Sequence, residues 1–194
     1  MTEAKAIKIS DEILSLYQEY GNQDYIGEPV SQIEHMCQCA QLAGKENYDD
    51  EVILAAFFHD IGHLCEHIMK VDYMDDYGIV DHEKIGADYL KNKGFSKKII
   101  SLIASHVEAK RYLTLMHPEY YEKLSEASKS TLNFQGGRMT EVEAKEFEKD
   151  EWFSLYLTLR GWDEKAKEEN VPLPGLDYYR IMMINHLINN NNKL

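Results

Sequence analysis

The chain has 194 residues, and Asp and Glu outnumber Lys and Arg by 34 to 21, giving a formal charge of -13. That length suits one domain around a single sizeable core, and the acidic balance repels nucleic acid and anionic membrane surfaces, leaving a small molecule as the favoured partner. The first ten residues lack an apolar signal core, and no stretch approaches the roughly 20 apolar residues of a membrane span, so a cytoplasmic protein is expected. Cys37, Cys39 and Cys65 lack paired CxxC spacing, which suits neither a disulfide framework nor a zinc knuckle, and they read as buried or idle thiols.

In chain order, Ile13, Leu14, Leu16 and Tyr17 recur at helical spacing and predict a helix over 11–20. Residues 21–29 hold two glycines and Pro29, so they interrupt the helix and can present polar side chains from a movable loop. Helix resumes over 30–43. Residues 51–58 are apolar on nearly all sides, as a buried central helix would be, and run directly into His59-Asp60. Further helices are predicted over 82–93 and 96–110, the second carrying Ile99, Ile103, His106 and Lys110 on one stripe. Residues 125–137, rich in Ser and Gly, read as an ordered loop. Helical periodicity returns over 141–169 around Phe147, Phe153, Leu157 and Trp162, until Pro172 and Pro174. The asparagine run 189–192 is expected to fray. No segment alternates as strands do, and the expected class is all-α.

Chemistry concentrates in His35, His59, Asp60, His82, His106 and Asp163, each in or beside a helix that carries apolar residues. One histidine on an apolar face is usually a satisfied core residue, but several converging on one core are costly unless something binds them. A metal answers that cost. Imidazole and carboxylate donors suit iron, manganese or zinc, and an adjacent His-Asp pair can serve two metals with Asp60 between them.

The His59-Asp60 pair within the run 58–63, with His35 upstream, resembles the HD-domain superfamily, and the six residues together resemble its two-metal form. Longer agreement lies in 24–28, 31–35, 86–90, 106–113, 125–129 and 134–137. It is similar to the HD-domain di-iron oxygenases that cleave phosphonates, and the resemblance implies a substrate of the 2-amino-1-hydroxyethylphosphonate type. The resemblance implies a single HD-domain helical bundle over 1–188 with a tail over 189–194. It further implies a mixed-valent Fe(II)/Fe(III) pair, one iron held by His35, His59 and Asp163, the other by His82 and His106, with Asp60 bridging. Phosphonate and dioxygen would be the small-molecule partners, and glycine and phosphate the products. Tyr25 would occupy an iron position until Glu28 pairs with the substrate ammonium.

Lys110 lies one turn after His106 and can meet an anionic oxygen there. Ser128, Gln135 and Arg160 offer hydroxyl, amide and guanidinium donors for phosphonate, and His63, one turn after His59, would reach the substrate or the ligands. Many HD phosphohydrolases carry lysine where this chain has His63, whereas the phosphonate-cleaving set has histidine. The competing reading is a phosphohydrolase acting on a small phosphate ester, with the two metals activating a hydroxide. A ligand-sensing module ranks last because all six metal ligands are present. His67, His117 and His186 fall outside the pattern and read as structural.

Overall fold

The computed structural model describes residues 1–25, 27–74 and 78–190. Twelve α-helices run through them: α1 Glu3–Tyr20, α2 Gln32–Lys45, α3 Asp50–Phe58, α4 Ile61–Leu64, α5 His82–Lys93, α6 Lys97–Ala104, α7 His106–Met116, α8 Pro118–Lys123, α9 Glu126–Phe134, α10 Glu141–Phe147, α11 Phe153–Lys165 and α12 Leu176–Asn190, with a 3-10 turn at Cys65–His67. Extended pairing among the described residues is limited to isolated bridges, Asp24 with Ser31 and Tyr73 with Ile79. The all-α expectation holds.

Helix α3 is the axis of the bundle. Every residue from Val52 to Phe58 is buried, as its unbroken apolar run predicts, and α2, α6, α11 and α12 pack around it. Tyr17 of α1, Phe57 of α3 and Tyr179 of α12 form one stack, with centroids 4.4 and 4.0 Å apart. The Tyr17 hydroxyl donates to Phe57 O at 2.8 Å, so burial and a satisfied polar tip act together. Each such aromatic contributes roughly 1.5–3 kcal/mol by leaving water.

Four expectations are corrected. Most of 125–137 is not a loop: Ser125 Oγ accepts from the Ser128 amide at 3.2 Å and starts α9, so its serine caps a helix instead of breaking one, and only 135–137 turn, with Gly136 and Gly137 at positive φ. The helix predicted over 96–110 breaks at Ser105, where ψ opens to 0°, yet Ile99, Ile103, His106 and Lys110 all remain buried on one face. The stretch 141–169 divides into α10 and α11 because Asp150 Oδ1 accepts from the Trp152 amide at 2.8 Å and from Tyr156 Oη at 2.9 Å, closing a turn. Asn189 and Asn190, expected in the tail, are helical at the end of α12, a helix whose buried Tyr179, Met182, Met183 and Leu187 went unread. The rest of the tail, 191–194, lies outside the described residues. The three cysteines are free buried thiols, and burial pushes those of Cys37 and Cys65 up to about 12.

Candidate metal centre and adjoining cavity

Breaks between helices place most of the ligand-type residues. His59 closes α3, and Asp60 leaves helical geometry at φ -107°, ψ 13° before α4 begins. His82 opens α5 behind Asp81, which sits in left-handed geometry at φ 56°. His106 opens α7 just after the Ser105 break. His35 and Asp163 come from within α2 and α11. All six are buried.

The position of His82 is set by backbone contact. A Cβ added to Gly62 would lie 1.9 Å from His82 O, so α4 and α5 meet at a distance only glycine permits.

Asp60 stands between two histidine pairs and divides its oxygens between them. Its Oδ2 is 3.5 Å from His35 Nε2 and 3.4 Å from His59 Nε2. The other oxygen, Oδ1, is 3.3 Å from His82 Nε2 and 3.4 Å from His106 Nε2. Asp163 Oδ1 adds to the first pair, 3.4 Å from His35 Nε2 and 4.0 Å from His59 Nε2. His63 joins the neighbourhood of the second, with Asp60 and His82.

The hydrogen bonds behind the rings test whether metal fits. His35, His59 and His106 each turn Nδ1 to a carbonyl, Ala166 O at 2.9 Å, Ala56 O at 2.8 Å and Ile103 O at 2.8 Å. Carbonyls only accept, so Nδ1 holds the proton and Nε2 presents a lone pair. The lone pairs of His35 and His59 meet, Nε2 to Nε2 at 3.0 Å; His106 Nε2 stands 3.0 Å from His82 Nε2, and His82 Nδ1 is buried without a hydrogen-bond partner. Asp163 Oδ1 is buried without a hydrogen-bond partner. Buried acceptors facing one another need a cation between them, and the donor set fits two.

Both carboxylates of the centre are held ionised. Burial opposes ionisation of Asp60, but His59, His106 and His35 outweigh it and hold its carboxyl well below the usual range. Burial likewise opposes charge on Asp163, and Arg160 with His35 and His59 holds it ionised. His63 is held down to about 3, by burial first and His82 second, so it meets the cavity as neutral imidazole.

A small cavity of about 70 Å³ opens on the centre. Every non-ligand residue singled out from the sequence reaches it: Tyr25, Glu28, His63, Lys110, Ser128, Gln135 and Arg160 all line its wall. Asp60, His82, His106 and Asp163 face it too, whereas His35 and His59 lie behind. Tyr25 stacks on His35 with centroids 4.1 Å apart. Burial and the adjoining Asp60 and Asp163 raise its phenol well above the ordinary value. Its turn is closed by the Glu28 amide on Tyr25 O at 2.9 Å. Gly27, at φ 77°, lies so near α9 that a Cβ would meet Ala127 Cβ at 2.9 Å.

Lys110 is only 3 % exposed. Its ammonium donates to Thr131 Oγ1 at 3.0 Å, and burial, followed by Arg160, brings it down to about 7. Each nitrogen of the Arg160 guanidinium holds one partner: Nη1 Asp163, Nη2 Glu164 and Nε the Tyr120 hydroxyl at 2.9 Å. Glu28 is committed as well, to Lys167 Nζ at 2.7 Å.

Thr131, Tyr120, Glu164 and Lys167 went unread in the sequence. Glu164 alone left a signal, four residues after Arg160 on one helix face. Outside the site, His67 stacks on Tyr20 at 3.8 Å and His186 on Phe95 at 5.5 Å, consistent with structural duty. Among the described residues no helix is long and apolar enough to cross a membrane.

Comparison with known proteins bears on the same residues. The HD domain family model matches residues 33–149. The chain is 45% identical over 182 residues to an uncharacterized protein of Acanthamoeba polyphaga mimivirus, covering 94% of this chain and 83% of that one. It is 38% identical over 164 residues to the [1-hydroxy-2-(trimethylamino)ethyl]phosphonate dioxygenase (glycine-betaine-forming) of Leisingera caerulea, covering 84% and 82%. With the hydroxymethylphosphonate dioxygenase of Gimesia maris, identity is 37% over 170 residues, covering 86% and 82%.

Proposed function

Because this chain belongs to the HD domain family, we propose that it is a cytoplasmic di-iron oxygenase that uses dioxygen to cleave the carbon-phosphorus bond of a 1-hydroxyalkylphosphonate. The observation that carries the two-metal reading is Asp60, whose two oxygens each face a separate histidine pair. His35, His59 and Asp163 would hold one metal and His82 and His106 the other, with Asp60 shared. An iron pair held by those residues, mixed-valent Fe(II)/Fe(III), would supply the redox chemistry with dioxygen that carbon-phosphorus cleavage needs. The names of the two dioxygenase relatives share a hydroxyl-bearing carbon attached to phosphonate, which supports that group as the common substrate head. For the 2-amino-1-hydroxyethyl compound the products are glycine and phosphate.

The protein's own residues bind and orient. Lys110 meets a phosphonate oxygen with an ammonium already stripped of water, so its charge-assisted bond is stronger than at a surface. Ser128 and Gln135 offer further polar atoms along the same wall. Arg160 fixes Asp163, and its bonds to Glu164 and Tyr120 keep it there. His63, neutral and stacked on His82 with centroids 4.3 Å apart, can accept or donate a hydrogen bond without adding charge. Tyr25 covers His35 and shields that side of the centre until substrate moves the Tyr25–Glu28 turn.

The test is oxygen uptake and phosphate release by iron-loaded protein given 2-amino-1-hydroxyethylphosphonate or 1-hydroxyethylphosphonate. One dioxygen consumed per phosphate is expected, with no release under anaerobic conditions. Phosphate release from an ester at an undiminished rate without oxygen, supported by manganese or zinc, would replace this reading with hydrolysis.

A further inference from the structure

Glu28 lines the cavity, yet its carboxylate is bonded to an ammonium that belongs to the protein. Lys167 Nζ reaches Glu28 Oε1 at 2.7 Å from 139 residues away, with the two side chains only 14 % and 10 % exposed. Lys167 is not part of the cavity wall and is held in place from behind. Ala166 O accepts from His35 Nδ1 at 2.9 Å. Glu168 exchanges two hydrogen bonds with Gln38, at 2.8 and 3.1 Å. The backbone on either side of Lys167 is therefore pinned to α2, and its ammonium is delivered to Glu28 as a built counter-ion.

We propose that Lys167 is a specificity-determining residue: as the resident cation of Glu28 it fills the role a cationic substituent of the substrate would take, so the cavity favours hydroxyphosphonates whose substituent is uncharged. The proposal rests on the phosphonate reading above and narrows it, because the two dioxygenase relatives differ in whether the named substrate carries a trimethylamino group. A cationic group entering beside Glu28 has two options. It can displace Lys167 and leave a half-buried ammonium without its carboxylate, or it can share one carboxylate with a like charge nearby. Either way it forgoes most of a charge-assisted bond, roughly a 10- to 150-fold gain in affinity. An uncharged substituent meets neither penalty.

The experiment is anaerobic calorimetry on the iron-loaded protein with 2-amino-1-hydroxyethylphosphonate and 1-hydroxyethylphosphonate, so that affinity is read without turnover. In the wild type the amine-free ligand should bind at least as tightly as the other. Lys167→Met should tighten the amine-bearing ligand by about 10-fold relative to the amine-free one, and Lys167→Arg should return the ratio to its wild-type value. Lys167→Gln serves as the milder neutral change if the methionine variant does not fold. A wild type that prefers the amine-bearing ligand by 10-fold or more, or neutral variants with an unmoved ratio, would overturn the proposal and leave the phosphonate reading standing. Absence of binding by either ligand, with no oxygen uptake, would sink both.

Discussion

Replacing Lys110 with methionine keeps the length of the side chain and removes its ammonium. Burial moves that group from its ordinary 10.5 to about 7, while the unfolded chain keeps the ordinary value. The unfolded state therefore binds the extra proton more readily between those limits, and wild-type stability rises with pH across that window. Below pH 7 the buried ammonium opposes folding by roughly 5 kcal/mol, at about 1.4 kcal/mol for each pH unit between the two values. Thr131 Oγ1 keeps its bonds to Ala127 O and Ser128 O at 3.0 and 3.2 Å, so the substitution orphans nothing. Lys110→Met should thus be several kcal/mol more stable than wild type at pH 6.5. The advantage should shrink by about 3 kcal/mol on going to pH 9. Affinity for a hydroxyphosphonate should fall by about 10- to 150-fold with the lost charge-assisted bond. Urea unfolding of both proteins at several pH values, followed by calorimetry, reads both effects. A stability difference flat across pH 6.5 to 9 would mean that the ammonium keeps its ordinary proton affinity and faces water.

Asp60→Ala should abolish pairing of the metals, since the one carboxylate facing both histidine pairs is gone; elemental analysis showing full wild-type stoichiometry would contradict this. Arg160→Met breaks a buried ion pair and should destabilise the fold by about 3–5 kcal/mol, measured by urea unfolding, and should loosen metal retention at Asp163; unchanged stability would mean that Glu164 and Tyr120 had not been holding the arginine to any effect. Gly62→Ala forces a methyl into His82 O at 1.9 Å and should give protein without the His82 and His106 metal, or none that folds; circular dichroism and metal content like wild type would refute that contact.

The sequence exposed the centre better than the frame around it. Buried histidines are chemically conspicuous, so His35, His59, His82 and His106 could be grouped by residue type and helical setting alone. The partition of Asp60's oxygens could not be, because it depends on the φ and ψ of one residue where α3 stops. Lys110 was legible through its stripe with His106, even though the helix breaks at Ser105 before it begins again. Thr131, Tyr120 and Lys167 were not, because their partners lie 21, 40 and 139 residues away and hydroxyls or lysines leave no periodic trace. Helix α12 escaped because exposed Tyr178 and Ile181 put large apolar side chains on its outer face too and blur the periodicity, and the asparagine run drew attention to the tail.

The six ligand-type residues span the chain from His35 to Asp163 and come from the ends or interiors of separate helices. No one or two neighbouring helices bring them together, and long-range closure is the slow part of folding. The centre therefore assembles only when α11 docks on α2 and α7, which makes metal capture a late event. Ions bound solely by the finished form hold that form by mass action, adding about 2.7 kcal/mol once free metal reaches 100 times its dissociation constant. Chelation should accordingly shorten the lifetime of the entire fold, including the Tyr17, Phe57 and Tyr179 stack that joins α1, α3 and α12, and not just empty a pocket.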